Sequence, residues 1–204
     1  MQSQLIDPKK TAVVVIDLQN AYCSPNGSMS RLGFGVSHFE KMVKKIGEFL
    51  EAARRRGVPV IFFRMIEDPK YMAENARVKM KAEKCRTICS PNSFNFDYFM
   101  LRPQTGDMQF VKTDYDAFSN KGLERDLKRR RIKSLILVGG YTQVCIDSTL
   151  RSAFTKGYHV IVPRDLISGP VQRKSQEKSA IRVWSMFFAH MVKSTDIIKS
   201  WRRK

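Results

Sequence analysis

The chain has 204 residues, 43% of them hydrophobic, which is enough to bury one globular core, so we predict a single domain over residues 1–204. No apolar run approaches the roughly 20 residues that a membrane span needs, and the N-terminus has no signal-peptide core, so we expect a cytoplasmic protein without a membrane partner. The net charge is +18, but the basic residues are spread along the chain, which favours a solvated surface over nucleic-acid binding.

The first third of the chain predicts a βαβ unit. Residues 11–17 form an apolar run typical of a buried parallel strand, and the run ends in Asp17. Open α/β sheets hold ligands at that end of a strand, although an aspartate there can also simply cap a turn. The segment 22–34 is rich in Gly, Ser, Pro and Asn and predicts a loop. An amphipathic helix over 39–56 and a strand over 58–63 complete the unit.

The segment 66–107 is the least regular part of the sequence, and we interpret it as a lid-like excursion with a short helix within 71–84. Its aromatic residues either form a substrate wall or pack as an ordinary insertion; they are Phe94, Phe96, Tyr98 and Phe99. Cys85 and Cys89 have a C-x3-C spacing. A zinc site would need two further ligands nearby, so we interpret both as structural thiols.

The second half of the chain alternates strands with helices. The patterns predict strands at 109–111, 134–138 and 158–162, and helices at 123–131, 145–156, 176–191 and 195–201. This order indicates a three-layer α/β/α sandwich with a mainly parallel, Rossmann-like sheet. We predict six strands, of which the patterns locate five.

A cysteine lies where one of these strands turns into a helix. The strand at 134–138 is broken by Gly139 and Gly140, Thr142 can cap the helix, and Cys145 falls in its first turn. Free N–H groups at a helix start lower the pKa of a thiol and can hold an oxyanion. The same position also suits a small buried cysteine.

Three polar residues follow predicted strands, namely Asp17, Lys112 and Cys145. If the strands are parallel neighbours, all three side chains reach the same edge of the sheet. An acid, a base and a thiol make a nucleophilic set: the thiol attacks, the carboxylate moves the proton, and the lysine stabilises both anions.

Three blocks of the sequence carry a resemblance to a known family. VVVIDLQNAY at 13–22, FVKTDYDAF at 110–118 and GGYTQVCIDSTLRSAFTKGYHVIVPRD at 139–165 resemble the signature blocks of the isochorismatase-like cysteine hydrolases. The resemblance implies a triad of Asp17, Lys112 and Cys145 and a cis peptide bond between Gly140 and Tyr141. It also implies an oxyanion hole made by the backbone N–H groups of Tyr141 and Cys145, and a homodimer or homotetramer.

The run TQVCIDSTLR most resembles the ureidoacrylate, biuret and N-carbamoylsarcosine amidohydrolases. That branch implies hydrolysis of a C–N bond in a small amide, carbamoyl or ureido substrate through a thioester, without a cofactor. Nicotinamidases carry metal-binding histidines, whereas the segment FFRMIEDPKYM contains none, so the resemblance implies no metal. Isochorismatase or nicotinamidase activity on the same scaffold is the alternative, and a non-catalytic polyanion-binding protein is a further one.

The sequence departs from the family pattern at Gln143, at Ser152 and at Pro170, where carbamoylsarcosine enzymes carry a carboxylate-binding arginine. Arg164 or Arg173 could replace that arginine. We predict five residues for the substrate pocket, with core packing as the alternative for each: Asn20, Tyr22, Phe34, Phe63 and Tyr141.

Overall fold

The computed structural model describes residues 3–82 and 88–202. It contains a six-stranded sheet in which every neighbouring pair of strands is parallel, in the order β3-β2-β1-β4-β5-β6. The strands are β1 Thr11–Ile16, β2 Val60–Met65, β3 Met108–Lys112, β4 Ser134–Gly139, β5 His159–Pro163 and β6 Ala189–Val192. Flanking helices cover the sheet, which confirms the predicted α/β/α sandwich.

Eight α-helices lie within the described part of the chain. They are α1 Asn20–Cys23, α2 Ser28–Arg31, α3 Phe39–Arg55, α4 Glu74–Ala82, α5 Lys121–Arg129, α6 Asp147–Thr155, α7 Lys174–Phe187 and α8 Ser194–Arg202. The single-turn helix α2 and the end of α1 fall in the segment 22–34, for which the sequence predicted only a loop. None of the described helices is long and apolar enough to cross a membrane.

The topology places a crevice at the centre of the sheet. From β1 the chain moves outward to β3, crosses back to β4, and continues the other way to β6. Because parallel crossovers are right-handed, α3 covers one face, where it packs against α8, and α5, α6 and α7 cover the other. The chain therefore reverses direction between β1 and β4, where open α/β sheets bind ligands at the carboxyl ends of the strands.

The predicted helix over 176–191 is wrong at its C-terminal end. Helix α7 ends at Phe187, and β6 follows at once along β5, with Ala189 opposite Val160 and Val192 opposite Pro163. β6 lies at the sheet edge and none of its residues is fully buried. Its sequence therefore lacks the continuous apolar run that identified the inner strands, and pairing with β5 decides its conformation.

The excursion is attached to the sheet by its aromatic residues. Tyr98 is buried, with its ring edge-on to Phe62 at 5.7 Å, and the Arg64 guanidinium lies 4.2 Å from the centre of the Phe96 ring. These aromatic residues pack against β2, as the packed-insertion interpretation expects. Phe94 is exposed.

The structure describes one cysteine of the C-x3-C pair. Cys89 is buried, and its Sγ accepts a hydrogen bond from Gln19 Nε2 at 3.2 Å. Cys85 and the predicted end of the helix at Lys84 lie outside the described residues.

Trp201 joins the C-terminal helix to the rest of the fold, and its removal should be costly. Its side chain is 1% exposed, its ring lies 5.5 Å from Phe49, and its Nε1 donates to the Ile6 carbonyl at 2.8 Å. We expect Trp201→Ala to lower the free energy of unfolding by about 3–5 kcal/mol, because it leaves a cavity and an unpaired carbonyl.

Urea unfolding followed by circular dichroism measures this change. Phe187→Ala is the control, since Phe187 is 61% exposed and its removal should alter stability by less than about 0.5 kcal/mol. Equal losses in the two variants would contradict the assignment.

Candidate active site

The two central strands end in tight turns that face each other. Asp17 follows β1 with φ of +53°, a left-handed conformation that is uncommon for a residue other than glycine. Gly139, at the end of β4, has φ of +117°, and an added Cβ would lie 2.2 Å from the Ile16 carbonyl oxygen. Only glycine allows β4 to pass β1 this closely. The turns that follow the two strands therefore open into the same crevice.

Lys112 reaches this crevice from a strand that does not neighbour β1. It is the last residue of β3, and β2 lies between the two strands. Its Nζ passes Met65 Sδ at 3.2 Å and ends 2.8 Å from Asp17 Oδ2. The sequence argument that assumed neighbouring strands is therefore incomplete: the contact depends on the length of the lysine side chain. A third contact, from Nζ to the Asp114 carbonyl at 3.1 Å, holds the ammonium in place.

Cys145 completes the group from the turn that follows β4. It lies in a π-helical turn, Thr142–Ile146, which precedes α6, and its Sγ is 3.4 Å from Lys112 Nζ. The Gly140–Tyr141 peptide bond is cis. Within the described part of the chain, the Tyr141 backbone N–H donates no hydrogen bond to another backbone or side-chain group. That N–H is therefore available to a ligand oxygen.

Burial sets the protonation of this group. Desolvation raises the pKa of the Cys145 thiol well above its usual value, against the opposing charge of Lys112, and Asp17 raises it further. The prediction that the helix start lowers this pKa is therefore wrong. Burial also raises the pKa of Asp17, although Lys112 opposes the shift. Burial alone would lower the pKa of Lys112, but Asp17 and Cys145 together raise it. At rest the thiol is protonated beside a carboxylate that is more basic than usual.

A cavity of about 440 Å³ opens beside Cys145. Apolar and aromatic side chains make most of its wall, as in many small-ligand sites. Its described lining residues are Asp17, Tyr22, Met29, Leu32, Phe34, Met65, Glu67, Ile88, Tyr115, Tyr141, Val144, Cys145 and Arg173.

A model of the isochorismatase domain matches residues 11–196. The chain belongs to the isochorismatase family. It is 37% identical over 174 residues to a ureidoacrylate amidohydrolase, RutB, of Caulobacter segnis, with 78% of this chain and 73% of that protein covered. Family membership makes the protein a hydrolase, and the group around Cys145 is its candidate active site.

Solved structures of the isochorismatase fold superpose closely on the chain. A cysteine hydrolase from Pseudomonas syringae pv. phaseolicola has a TM-score of 0.85 at 24% identity, covering 98% of this chain and 95% of its own. A pyrazinamidase of Pyrococcus horikoshii, solved in complex with zinc, has a TM-score of 0.76 at 18% identity, covering 90% and 99%. At these identities the likeness shows the shared fold.

Three of the five residues predicted for the pocket of this isochorismatase-family protein line the cavity: Tyr22, Phe34 and Tyr141. The other two do not. Asn20 Nδ2 donates to the Phe94 carbonyl at 2.9 Å and so holds the excursion. Phe63 is buried in the sheet and stacks on Phe110 with ring centres 5.4 Å apart. For Phe63, the alternative of core packing describes what the structure shows.

Glu67 is a cavity residue that the sequence argument missed. Its Oε2 accepts a hydrogen bond from the Tyr22 hydroxyl at 3.0 Å, and the pair lies in the cavity wall. Burial raises the pKa of Glu67, while the Tyr22 hydrogen bond and Lys112 oppose the shift. Glu67 follows the carboxyl end of β2 by two residues. The argument that selected Asp17, an acidic residue just after a parallel strand, could therefore also have selected Glu67.

Arg173 provides a positive charge at the cavity. Its guanidinium lies 5.5 Å from the centre of the Phe34 ring, and among the described lining residues it alone carries a positive charge. Arg164, the other candidate for a substrate-binding arginine, is exposed and does not line the cavity. At another departure from the family pattern, Ser152 donates from its hydroxyl to Asp116 Oδ2 at 2.5 Å.

The effect of Asp17 on the pKa of Cys145 can be tested by substitution. Its negative charge helps to keep the thiol protonated, so Asp17→Asn should lower the pKa of Cys145. A fall of one pKa unit raises the thiolate fraction about tenfold. We therefore expect iodoacetamide to alkylate Cys145 faster in Asp17→Asn than in the wild-type protein at pH 7.5.

Peptide mapping by mass spectrometry separates Cys145 from the other thiols. Cys89 should stay nearly unlabelled in both proteins, because burial and, to a smaller extent, Asp17 raise its pKa to about 12. Slower labelling of Cys145 in the variant would contradict the assigned charge interaction.

Proposed function

We propose that this protein is a cysteine amidohydrolase that cleaves the C–N bond of a small amide or ureido compound through a thioester. The observation that carries the proposal is the buried chain of contacts from Asp17 Oδ2 through Lys112 Nζ to Cys145 Sγ at the wall of the cavity. A nucleophile, a proton acceptor and a fixed positive charge within mutual reach are what amide hydrolysis by a thiol requires.

The reaction begins with the protonated thiol. As Sγ attacks the substrate carbonyl carbon, its proton passes to Asp17, whose raised pKa makes it a better base than an ordinary aspartate. Lys112 stays charged throughout and stabilises the anion on either partner. The backbone N–H groups of Tyr141 and Cys145 would receive the carbonyl oxygen as it becomes negative.

Collapse of this intermediate breaks the C–N bond. Asp17 returns the proton to the leaving nitrogen, which departs as ammonia or an amine, and the acyl group remains on Cys145 as a thioester. Asp17, again a carboxylate, then accepts a proton from water as the water attacks the thioester, and it returns this proton to Sγ as the C–S bond breaks. The products are the acid and the free thiol, so one water is consumed for each bond cleaved.

The cavity wall carries two polar groups of opposite charge, which suit a substrate with two different groups. Near Cys145, the Glu67–Tyr22 pair offers oxygen atoms to the N–H groups of an amide or ureido end. At Arg173, a guanidinium can pair with a carboxylate. We therefore propose a ureido or amido acid as substrate, which accords with the name of the ureidoacrylate amidohydrolase relative.

We also propose that hydrolysis needs no metal ion. The described residues contain no group of three or more His, Cys, Asp or Glu side chains placed to hold one. The segment that follows β2 has Glu67 and Asp68, and Glu67 is hydrogen-bonded to Tyr22. Activity that survives exhaustive treatment with a chelator would support this part of the proposal.

A substrate panel tests the reaction. The purified protein is incubated with ureidoacrylate, biuret, N-carbamoyl amino acids and nicotinamide, and released ammonia is measured, with Cys145→Ala alongside. We expect ammonia from at least one ureido acid and a loss of at least about 10³-fold in the variant, since the nucleophile is removed. Full activity in Cys145→Ala, or no ammonia from any compound of the panel, would overturn the proposal.

The carboxylate end of the substrate is tested through Arg173. Charge-assisted hydrogen bonds contribute about 1.5–3 kcal/mol, so Arg173→Met should raise KM for a ureido acid about 10-fold or more. KM for a neutral amide should change little. Arg164→Met is the matched control, because Arg164 is exposed and lies outside the cavity wall. An equal rise in KM for charged and neutral substrates would argue against a carboxylate-binding role.

A further inference from the structure

A buried carboxylate lies behind the turn that carries Cys145. Glu177 is in the first turn of α7 and is 9% exposed. Its Oε2 accepts hydrogen bonds from the Thr142 hydroxyl at 3.1 Å and from the Gly169 backbone N–H at 2.6 Å. A single oxygen atom therefore ties α7 both to the π-helical turn and to the loop that follows β5.

A second set of contacts closes this arrangement into a ring. Lys174 Nζ lies 2.9 Å from Glu177 Oε1 and 3.0 Å from Ser168 Oγ. The Ser168 carbonyl accepts from the Thr142 backbone N–H at 3.3 Å, and the Ser168 N–H donates to the Gly139 carbonyl at 3.2 Å. The Thr142 side chain, which the sequence suggested as a helix cap, is used in this ring.

The neighbouring side chain does not supply an alternative polar anchor. Both amide atoms of Gln143 are buried without a hydrogen-bond partner in the described part of the chain. The amide is packed so closely on Gly169 that an added Cβ there would lie 2.5 Å from Gln143 Oε1. Among the described residues, Glu177 thus makes the side-chain hydrogen bond between this turn and α7, while the neighbouring bond from Trp184 Nε1 to Asp147 Oδ1, at 2.6 Å, joins α7 to the start of α6.

We infer that Glu177 is a positioning residue for hydrolysis, an inference that rests on the proposed function. By fixing Thr142, it fixes the adjacent N–H of Tyr141 and the orientation of the turn up to Cys145, which are the groups proposed to receive the oxyanion. Loss of one oxyanion donor costs about 10²–10³ in kcat, and small misplacements of reacting groups cost about 10².

Glu177 is separate from the machinery that activates the thiol. It does not line the cavity, and its two oxygens bind Thr142, Gly169 and Lys174. Its removal should therefore impair acyl transfer, which needs the oxyanion donors, while alkylation of Cys145, which does not need them, continues.

The test compares two reactions of the same thiol in Glu177→Ala. We expect kcat for the amide found in the substrate panel to fall about 10- to 100-fold, with KM within about threefold. The rate and pH profile of Cys145 alkylation by iodoacetamide should stay within about twofold of wild type. Equal losses in both reactions would indicate a merely structural role and overturn the inference, as would an unchanged kcat.

Two further variants keep the test decisive. Glu177→Gln retains an oxygen that can accept both hydrogen bonds, so its kcat should lie between those of wild type and Glu177→Ala; it also replaces the alanine variant if that variant fails to fold. Glu40→Gln removes an exposed carboxylate that is likewise paired with a lysine, at 2.7 Å from Lys44, and should leave kcat unchanged.

Hydrogen exchange separates failure of the inference from failure of the proposed function. If wild-type protein hydrolyses no compound, the proposed function fails, and exchange measured by mass spectrometry still tests the positioning role. Peptides covering residues 139–146 and 167–170 should exchange faster in Glu177→Ala than in wild type and in Glu40→Gln. Unchanged exchange in both peptides would overturn the inference.

Discussion

The ion pair between Lys112 and Asp17 is the interaction on which the site depends. Burial of two charges carries a large desolvation cost, and good geometry with additional hydrogen bonds must offset it. Here the carboxylate is 2.8 Å from Nζ, and the Asp114 carbonyl takes a further N–H. Removal of either partner would leave an unpaired charge in the sheet. The pair in turn fixes where a thiol can lie, because Cys145 Sγ is 3.4 Å from the same ammonium.

Burial by the surrounding protein determines the protonation of the groups around this pair. Cys145 and Asp17 are both buried, so the thiol retains its proton and the carboxylate attracts one more strongly than it would in water. In such a site a fixed positive charge acts through less solvent screening than at the surface. In the proposed reaction a proton moves between Cys145 and Asp17, which both have a raised pKa, while Lys112 keeps its charge.

The turn that carries the nucleophile lies between two buried carboxylates. Asp17 faces the reactive side of the turn, and Glu177 holds its far side through Thr142. In the proposed reaction the first exchanges a proton with Cys145, whereas the second is paired with Lys174. Gln143, a departure from the family pattern, packs against Gly169, and its side-chain amide has no hydrogen-bond partner among the described residues. The anchoring role then falls to a helix far along the chain.

The sequence by itself determined the fold class and five of the six strands, because the four inner strands are apolar runs and the edge strand β3 is a short one that leads to Lys112. It also selected Asp17, Lys112 and Cys145 as one group, because polar residues mark the ends of these strands. It missed β6, because this short strand has no fully buried residue and directly follows helix α7, so its residues were assigned to the end of that helix. It also placed Asn20 and Phe63 in a cavity wall that they do not line. Only the tertiary structure decided that Lys112 reaches Asp17 across β2, that Glu67 pairs with Tyr22, and that the thiol pKa is raised rather than lowered. The physical reason is that desolvation and side-chain contacts depend on the atoms that surround a group in space. Those atoms come from distant parts of the chain, and no local sequence pattern identifies them.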